Sequence, residues 1–108
     1  MFSLFSFKGL TMKIPFTKMS GAGNDFIVID NRSGIVTNPV EFAIHSCNRR
    51  YGIGADGLLL VEKSTIADFK MLYFNSDGTD GGMCGNGGRS ISKFSYDIGV
   101  VDRNEFTF

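Results

Sequence analysis

Alternating apolar and polar positions mark out strands before anything else. From Met12 to Lys18, "MKIPFTK" follows the period of a half-buried strand, with Pro15 acceptable near its start or at a sheet edge. "SGAGND" interrupts it as a tight connection, where Gly21 and Gly23 supply backbone angles closed to other residues. "FIVID", Phe26 to Asp30, places three β-branched residues in five and predicts a strong strand, so the two segments form a hairpin-like pair with a polar loop at one end. "TNPVEFAIHSCNRR" changes the period to that of a helix. Thr37 or Asn38 caps it, Pro39 takes its first position, and Phe42, Ile44 and Cys47 fall on the packed side. Arg49 and Arg50 lie near its favourable C-terminal end. The glycines of "YGIGADG" require a constrained turn, which Asp56 is expected to brace by accepting from backbone N–H groups.

"LLLVEK" and "DFKMLYFN" are two further strands. The second carries apolar residues on both faces, Phe69, Met71 and Tyr73 against Leu72 and Phe74, so a helix is expected to cover one side. That helix is placed after Gly85, where Ile91, Phe94 and Ile98 recur at spacings of three and four and Gly99 is a natural stop. "VVDRNEFTF" returns to strand character, and a chain that stops in mid-strand reads as cut rather than completed, a short natural end being the alternative. The sum is an α+β domain of four or five strands and two helices.

Composition narrows the function. The 108 residues suit one hydrophobic core. Basic and acidic side chains cancel, 11 against 11, so no field of one sign attracts nucleic acid or an anionic membrane. The apolar runs fall far short of the roughly 20 residues that span a bilayer. Residues 1–11 are apolar, with one late lysine and no cleavage site, and read as an extension without a role rather than a secretion signal; the domain is expected over 12–108. Two cysteines, Cys47 and Cys84, make no disulfide scaffold and point to a reducing compartment, the cytoplasm. Cys47 reads as a small buried hydrophobe. His45, without a second histidine or paired cysteines at metal-ligand spacing, reads as a helix-surface or last-turn residue, and no metal site is expected. "GIGADG" is only part of a dinucleotide fingerprint, and a redox role requires Cys47 to reach Cys84.

"DGGMCGNGGRS" carries the chemistry. Cys84 immediately precedes the helix expected to start near Gly85 or Asn86, so unpaired N–H groups of its first turn favour a thiolate below the free value of about 8.5. Gly81, Gly82, Gly85, Gly87 and Gly88 leave backbone donors uncovered, and a small carboxylate seated on them holds its neighbouring carbon near sulfur. That suits proton removal from the α-carbon of an amino acid. Short glycine patterns also arise by chance, and a turn with an incidental thiol is an equal reading of the spacing alone. Asn24 in "GAGND" and Asn75 in "FNSDG" offer donors and acceptors to a zwitterion, although each taken singly also reads as a turn former. Arg89 opposes the helix dipole and is left without a role.

"FTKMSGAGNDFIVIDN", "RRYGIGADGLLLVE" and "YFNSDGTDGGMCGNGGRS", in this order and spacing, closely resemble the N-terminal half of diaminopimelate epimerases, from Met12 to about Gly99. The resemblance implies two similar domains, each a set of mixed and antiparallel strands wrapped round a central helix, with this chain incomplete. It implies interconversion of LL- and meso-diaminopimelate in lysine biosynthesis, with neither pyridoxal phosphate nor metal, by one cysteine from each domain. Cys84 matches the first-domain catalytic cysteine, and Gly85, Asn86, Asn24 and Asn75 match substrate-binding positions. The small-molecule amino-acid substrate and the absent C-terminal domain are the implied partners, and a homodimer of the full-length enzyme is compatible with it. Four features depart from the family pattern: Ser20 for histidine, Gly57 for a substrate-contacting glutamine, Ser90 for cysteine, and Gly81 with Gly82 for an acidic, less flexible pair. Without the second domain the chain is expected to be inactive. Rival readings are a phenazine-biosynthesis-like isomerase of the same superfamily, which Cys84 disfavours, and a half-domain that binds a small anion or a partner without turnover.

Overall fold

Proline has no N–H to give to a sheet, and the strand expected over 12–18 is broken after Pro15. The structure, a computed structural model, describes residues 2–7, 10–21 and 23–82. Cys84, Gly85, Asn86, Arg89 and Ser90, the expected second helix and the strand after Gly99 lie outside the described residues. β1 (Phe2–Phe7) pairs antiparallel with β2 (Leu10–Pro15) in a separate two-stranded sheet. The expected strand over 12–18 is therefore divided. Its first part belongs to β2, Phe16 turns into the core, and β3 (Thr17–Gly21) opens the main sheet.

The main sheet has the order β3, β4 (Asn24–Asp30), β5 (Gly57–Glu62), β6 (Lys70–Asn75). β3 and β4 form the expected antiparallel hairpin, from Thr17 opposite Val28 to Gly21 opposite Asn24. β4 and β5 run parallel, because α1 (Pro39–Cys47) carries the chain back between them, and β5 and β6 run antiparallel. The sheet is thus mixed. Its two central strands are apolar without interruption, as strands buried on both faces must be.

Directly paired residues share a face, which sorts the core into two layers. Ile27, Ile29, Leu58 and Leu60 face Phe42, Ala43 and Cys47 of α1, with Leu72 and Phe74 at the margin. Phe26, Val28, Leu59 and Val61 occupy the opposite face with Phe69, flanked by Met19, Met71 and Tyr73. The apolar double face of β6 is as expected. The helix over its Leu72 and Phe74 side is α1; the helix expected after Gly85 to cover one side of β6 falls outside the described residues.

Asn38, not Thr37, caps α1, its side-chain oxygen accepting from the Glu41 N–H at 3.2 Å, and Pro39 takes the first helical position. The packed stripe is Phe42, Ala43, Ser46 and Cys47. Ile44 is 43% exposed, a correction to the expected stripe: it is two positions from Phe42, about 200° round the helix. Past the helix, the Gly54 and Ala55 N–H groups donate to the Ser46 and Cys47 carbonyls at 2.9 and 3.1 Å, covering acceptors the helix cannot satisfy itself. Gly52 is required there, since a Cβ would stand 2.2 Å from the His45 carbonyl oxygen. The buried Asn31 closes the loop after β4, accepting from the Val36 N–H at 2.7 Å and donating to Glu62. Among the described residues no helix is long and apolar enough to cross a membrane.

Two substitutions on α1 test this assignment. Phe42→Ala removes a fully buried ring and is expected to cost about 3–5 kcal/mol in urea unfolding, whereas Ile44→Ala should stay within about 1 kcal/mol.

Candidate functional site

One end of the main sheet collects the loops singled out in the sequence. β4 and β5 begin there and β6 finishes there, so Phe26, Gly57 and Asn75 stand abreast in one row. Asn24 lies one step beyond Phe26 on the same face. Asn24 and Asn75 therefore share a face, and two strand spacings and one two-residue step place their backbones roughly 12 Å apart. The face is the one opposite α1.

The same register sets Asp25 and Asp56 side by side, each just ahead of the Phe26 and Gly57 pair. The two exchange bonds. The Asp56 N–H donates to the Asp25 carbonyl and to its Oδ1, both at 3.0 Å, and the Asp25 N–H donates to Asp56 Oδ2 at 3.0 Å. Two adjacent carboxylates repel unless a cation joins them. Arg49 does so with its fork on Asp25, at 2.8 and 3.1 Å, and a further contact of 3.1 Å to Asp56. Lys18 adds an ion pair to Asp25 at 3.2 Å and donates to the Gly54 carbonyl. The Arg49 guanidinium, with the Asp56 N–H and Lys18, holds the Asp25 carboxyl well below the usual carboxylate range despite partial burial.

Asp56 therefore ties the β3–β4 turn to the start of β5, where the sequence reading had it brace its own turn. It also accepts from the Asn24 amide at 3.4 Å. Sequence reasoning treated Arg49 as a helix-end charge and left Lys18 and Asp25 without roles. The signal was present: an aspartate directly before each of the apolar runs "FIVI" and "GLLLV" becomes one of a pair of neighbours once those strands run parallel.

Asn75 closes the turn after β6. Its N–H donates to the Thr79 carbonyl at 2.8 Å, its amide donates to Thr79 Oγ1 at 3.0 Å, and its carbonyl accepts from Gly78 at 2.9 Å. Asn75 thus acts within its own turn, whereas the Asn24 amide reaches the distant Asp56. The chain then runs back beside β6, the Gly81 N–H donating to the Tyr73 carbonyl at 2.8 Å.

Cys47 is 2% exposed at the end of α1. Burial, then the charge of Asp25, pushes its thiol up to about 11, so it remains neutral at physiological pH and behaves as the small hydrophobe expected. A cavity of about 500 Å³ lies beside it, lined by Ile44, Asn48, Arg49, Ala55, Asp56 and Ser76 among others. His45 is exposed in the last turn of α1. Among the described residues no three histidine, cysteine or acidic side chains are gathered to hold a metal.

The sequence model of the diaminopimelate epimerase family matches residues 16–108. The chain is 52% identical over 92 residues to a diaminopimelate epimerase of Caldanaerobacter subterraneus subsp. tengcongensis, covering 85% of this chain and 33% of the relative. It is 58% identical over 82 residues to that of Chlorobaculum tepidum, covering 76% and 32%. With that of Methanococcus maripaludis strain S2 / LL the identity is 48% over 94 residues, covering 87% and 34%. The chain spans about a third of the length of these relatives.

Asp25 gives the site a pH signature. A depressed carboxyl stabilises the fold above its ordinary value near 4, and the contribution is lost as pH falls toward the folded value. Urea midpoints should therefore fall below about pH 4. Asp25→Asn should lower the midpoint at pH 7 and narrow its gap to the unsubstituted chain as pH approaches 2, a convergence read from unfolding curves at several pH values.

Proposed function

The chain belongs to the diaminopimelate epimerase family, and on that footing we propose that it provides one half of the catalytic site of a cofactor-independent amino-acid epimerase. The substrate is diaminopimelate, interconverted between LL and meso forms in the cytoplasm as a step of lysine biosynthesis. The domain occupies 12–108, its strands wrapped round a central helix that begins near Gly85.

Cys84 is the base on one face of the reacting centre. Its thiolate takes the proton from the α-carbon, and the electron pair of the broken C–H bond stays on that carbon and spreads into the adjacent carboxylate. Backbone N–H groups at Gly85 and Asn86 hold that carboxylate as its charge grows. A second acid returns a proton to the opposite face, which inverts the centre and balances the step. That acid belongs to a further domain, on the part of the relatives' length that this chain does not span. Asn24 and Asn75 orient the substrate's polar groups.

The observation that carries the reading is the shared end and face of Asn24 and Asn75. They come from strands separated by β5, and one register brings both to the same end of the sheet, where β4 and β5 begin and β6 finishes. Cys47, buried and neutral, does not compete as the base.

Site-resolved alkylation with iodoacetamide tests the base. The rate at Cys84 should follow a titration midpoint well below 8.5, while Cys47 should stay unreactive in the folded chain. A midpoint at 8.5 or above would overturn the assignment. Exchange of the substrate α-hydrogen by the chain alone should be slight, and it should rise by at least about 100-fold when a relative's second domain is supplied, and not with Cys84→Ala.

A further inference from the structure

Gly57 stands in the centre of the site row, between Phe26 and Asn75, and the position has no room for a side chain. A Cβ there would lie 2.5 Å from Cε1 and 3.3 Å from Cζ of Tyr73, and 3.0 Å from the Phe74 carbonyl oxygen. Real Cβ atoms are not found so close to ring carbons, so the ring has taken the space. The root of the same ring leans on Gly81, where a Cβ would meet Cγ, Cδ1 and Cδ2 at 2.7 to 2.9 Å. Gly81 is the cross-strand neighbour of Tyr73, joined to it by the 2.8 Å bond and by the adjacent Phe74 and Asp80 bridge. An aromatic side chain lying over a glycine on the next strand is a recognised way to cover such a gap.

The ring thus lies across the sheet, from Gly81 at its root to Gly57 at its phenolic end. Phe26 meets it edge-on, with centroids 5.8 Å apart and planes at 86°, which fixes its tilt. Its outer end reaches the row that Phe26 and Asn75 flank, on the face that Asn24 and Asn75 share.

We propose that Tyr73 is a specificity-determining residue of the site. Over Gly57 its ring fills the space that a longer polar side chain would use to reach the ligand, and it presents an aromatic wall to the ligand's methylene chain. Gly57, Tyr73 and Gly81 form one steric set, in which a change at any member demands a change at another. The proposal rests on the reading of the site as a diaminopimelate site.

Gly57→Gln, Tyr73→Leu and the double substitution test it in two readings. Gly57→Gln alone should lower the melting temperature by roughly 5 °C or more, because the ring cannot stay where it is. Adding Tyr73→Leu should recover much of that loss. A Gly57→Gln chain that folds only with the second substitution supports the set; additive losses, or a double variant that does not fold, overturn it. The second reading, taken with a relative's second domain supplied, is the diaminopimelate concentration that halves alkylation of Cys84 by iodoacetamide. It should shift by about fivefold or more in the double variant, since an aromatic wall is replaced by a flexible amide. An unchanged concentration in a stable double variant overturns the specificity role alone. Absence of protection in the unsubstituted chain overturns that role together with the diaminopimelate reading.

Discussion

Two negative charges brought abreast by a parallel strand register set a constraint that the β3–β4 turn, the start of β5 and the exit of α1 must all meet. Asp25 and Asp56 can stand together because Arg49 bridges them while Lys18 adds a second cation on Asp25, and Arg49 is within reach because α1 ends two residues earlier. One guanidinium therefore ties the β3–β4 turn, the start of β5 and the exit of the helix to a common point. The reciprocal backbone bonds between the two aspartates supply the geometry, and the cation makes it tolerable. With 58% of its side chain exposed, Arg49 acts here less as a large energy source than as the partner whose loss leaves two carboxylates in conflict.

Much of this was legible in the residues. "FIVID" and "LLLVE" are apolar without alternation, the mark of strands covered on both faces, and Asn38 with Pro39 announced the start of α1. The hairpin and the exposed His45 followed from equally local signals. What local pattern could not supply was pairing. Nothing within "GAGND" or "GIGADG" alone says that their aspartates meet, because that depends on two strands lying side by side after a helical crossover. The same gap explains Asp56, assigned to its own turn when it braces a distant one, and α1, whose place over the Leu72 and Phe74 side of β6 no local pattern gave. Ile44 shows a smaller failure: an apolar residue in a helix was counted as packed although its angular position puts it outside.

The two faces of the sheet divide the labour. The α1 face is a closed apolar layer that includes the inert thiol of Cys47. The other face ends in polar residues, with Asn24 and Asn75 set on either side of a glycine. Tyr73 belongs to both the packing and the edge of that second face, because its ring is anchored on Phe26 at one contact and reaches the Gly57 row at another. Rigidity at the edge thus derives from the layer beneath it, as a recognition surface requires.

The parallel pairing of β4 with β5 also shapes the order in which the chain can assemble. Glu62 and Lys70 close only a short loop when β5 and β6 zip together, whereas Phe26 and Gly57 must find each other across a segment that includes all of α1. Longer closures cost more entropy before any contact rewards them. The β3–β4 and β5–β6 hairpins, closed by short loops, are accordingly favoured before the β4–β5 pairing, and the junction of Asp25, Arg49 and Asp56 is a late closure that locks the two hairpins together.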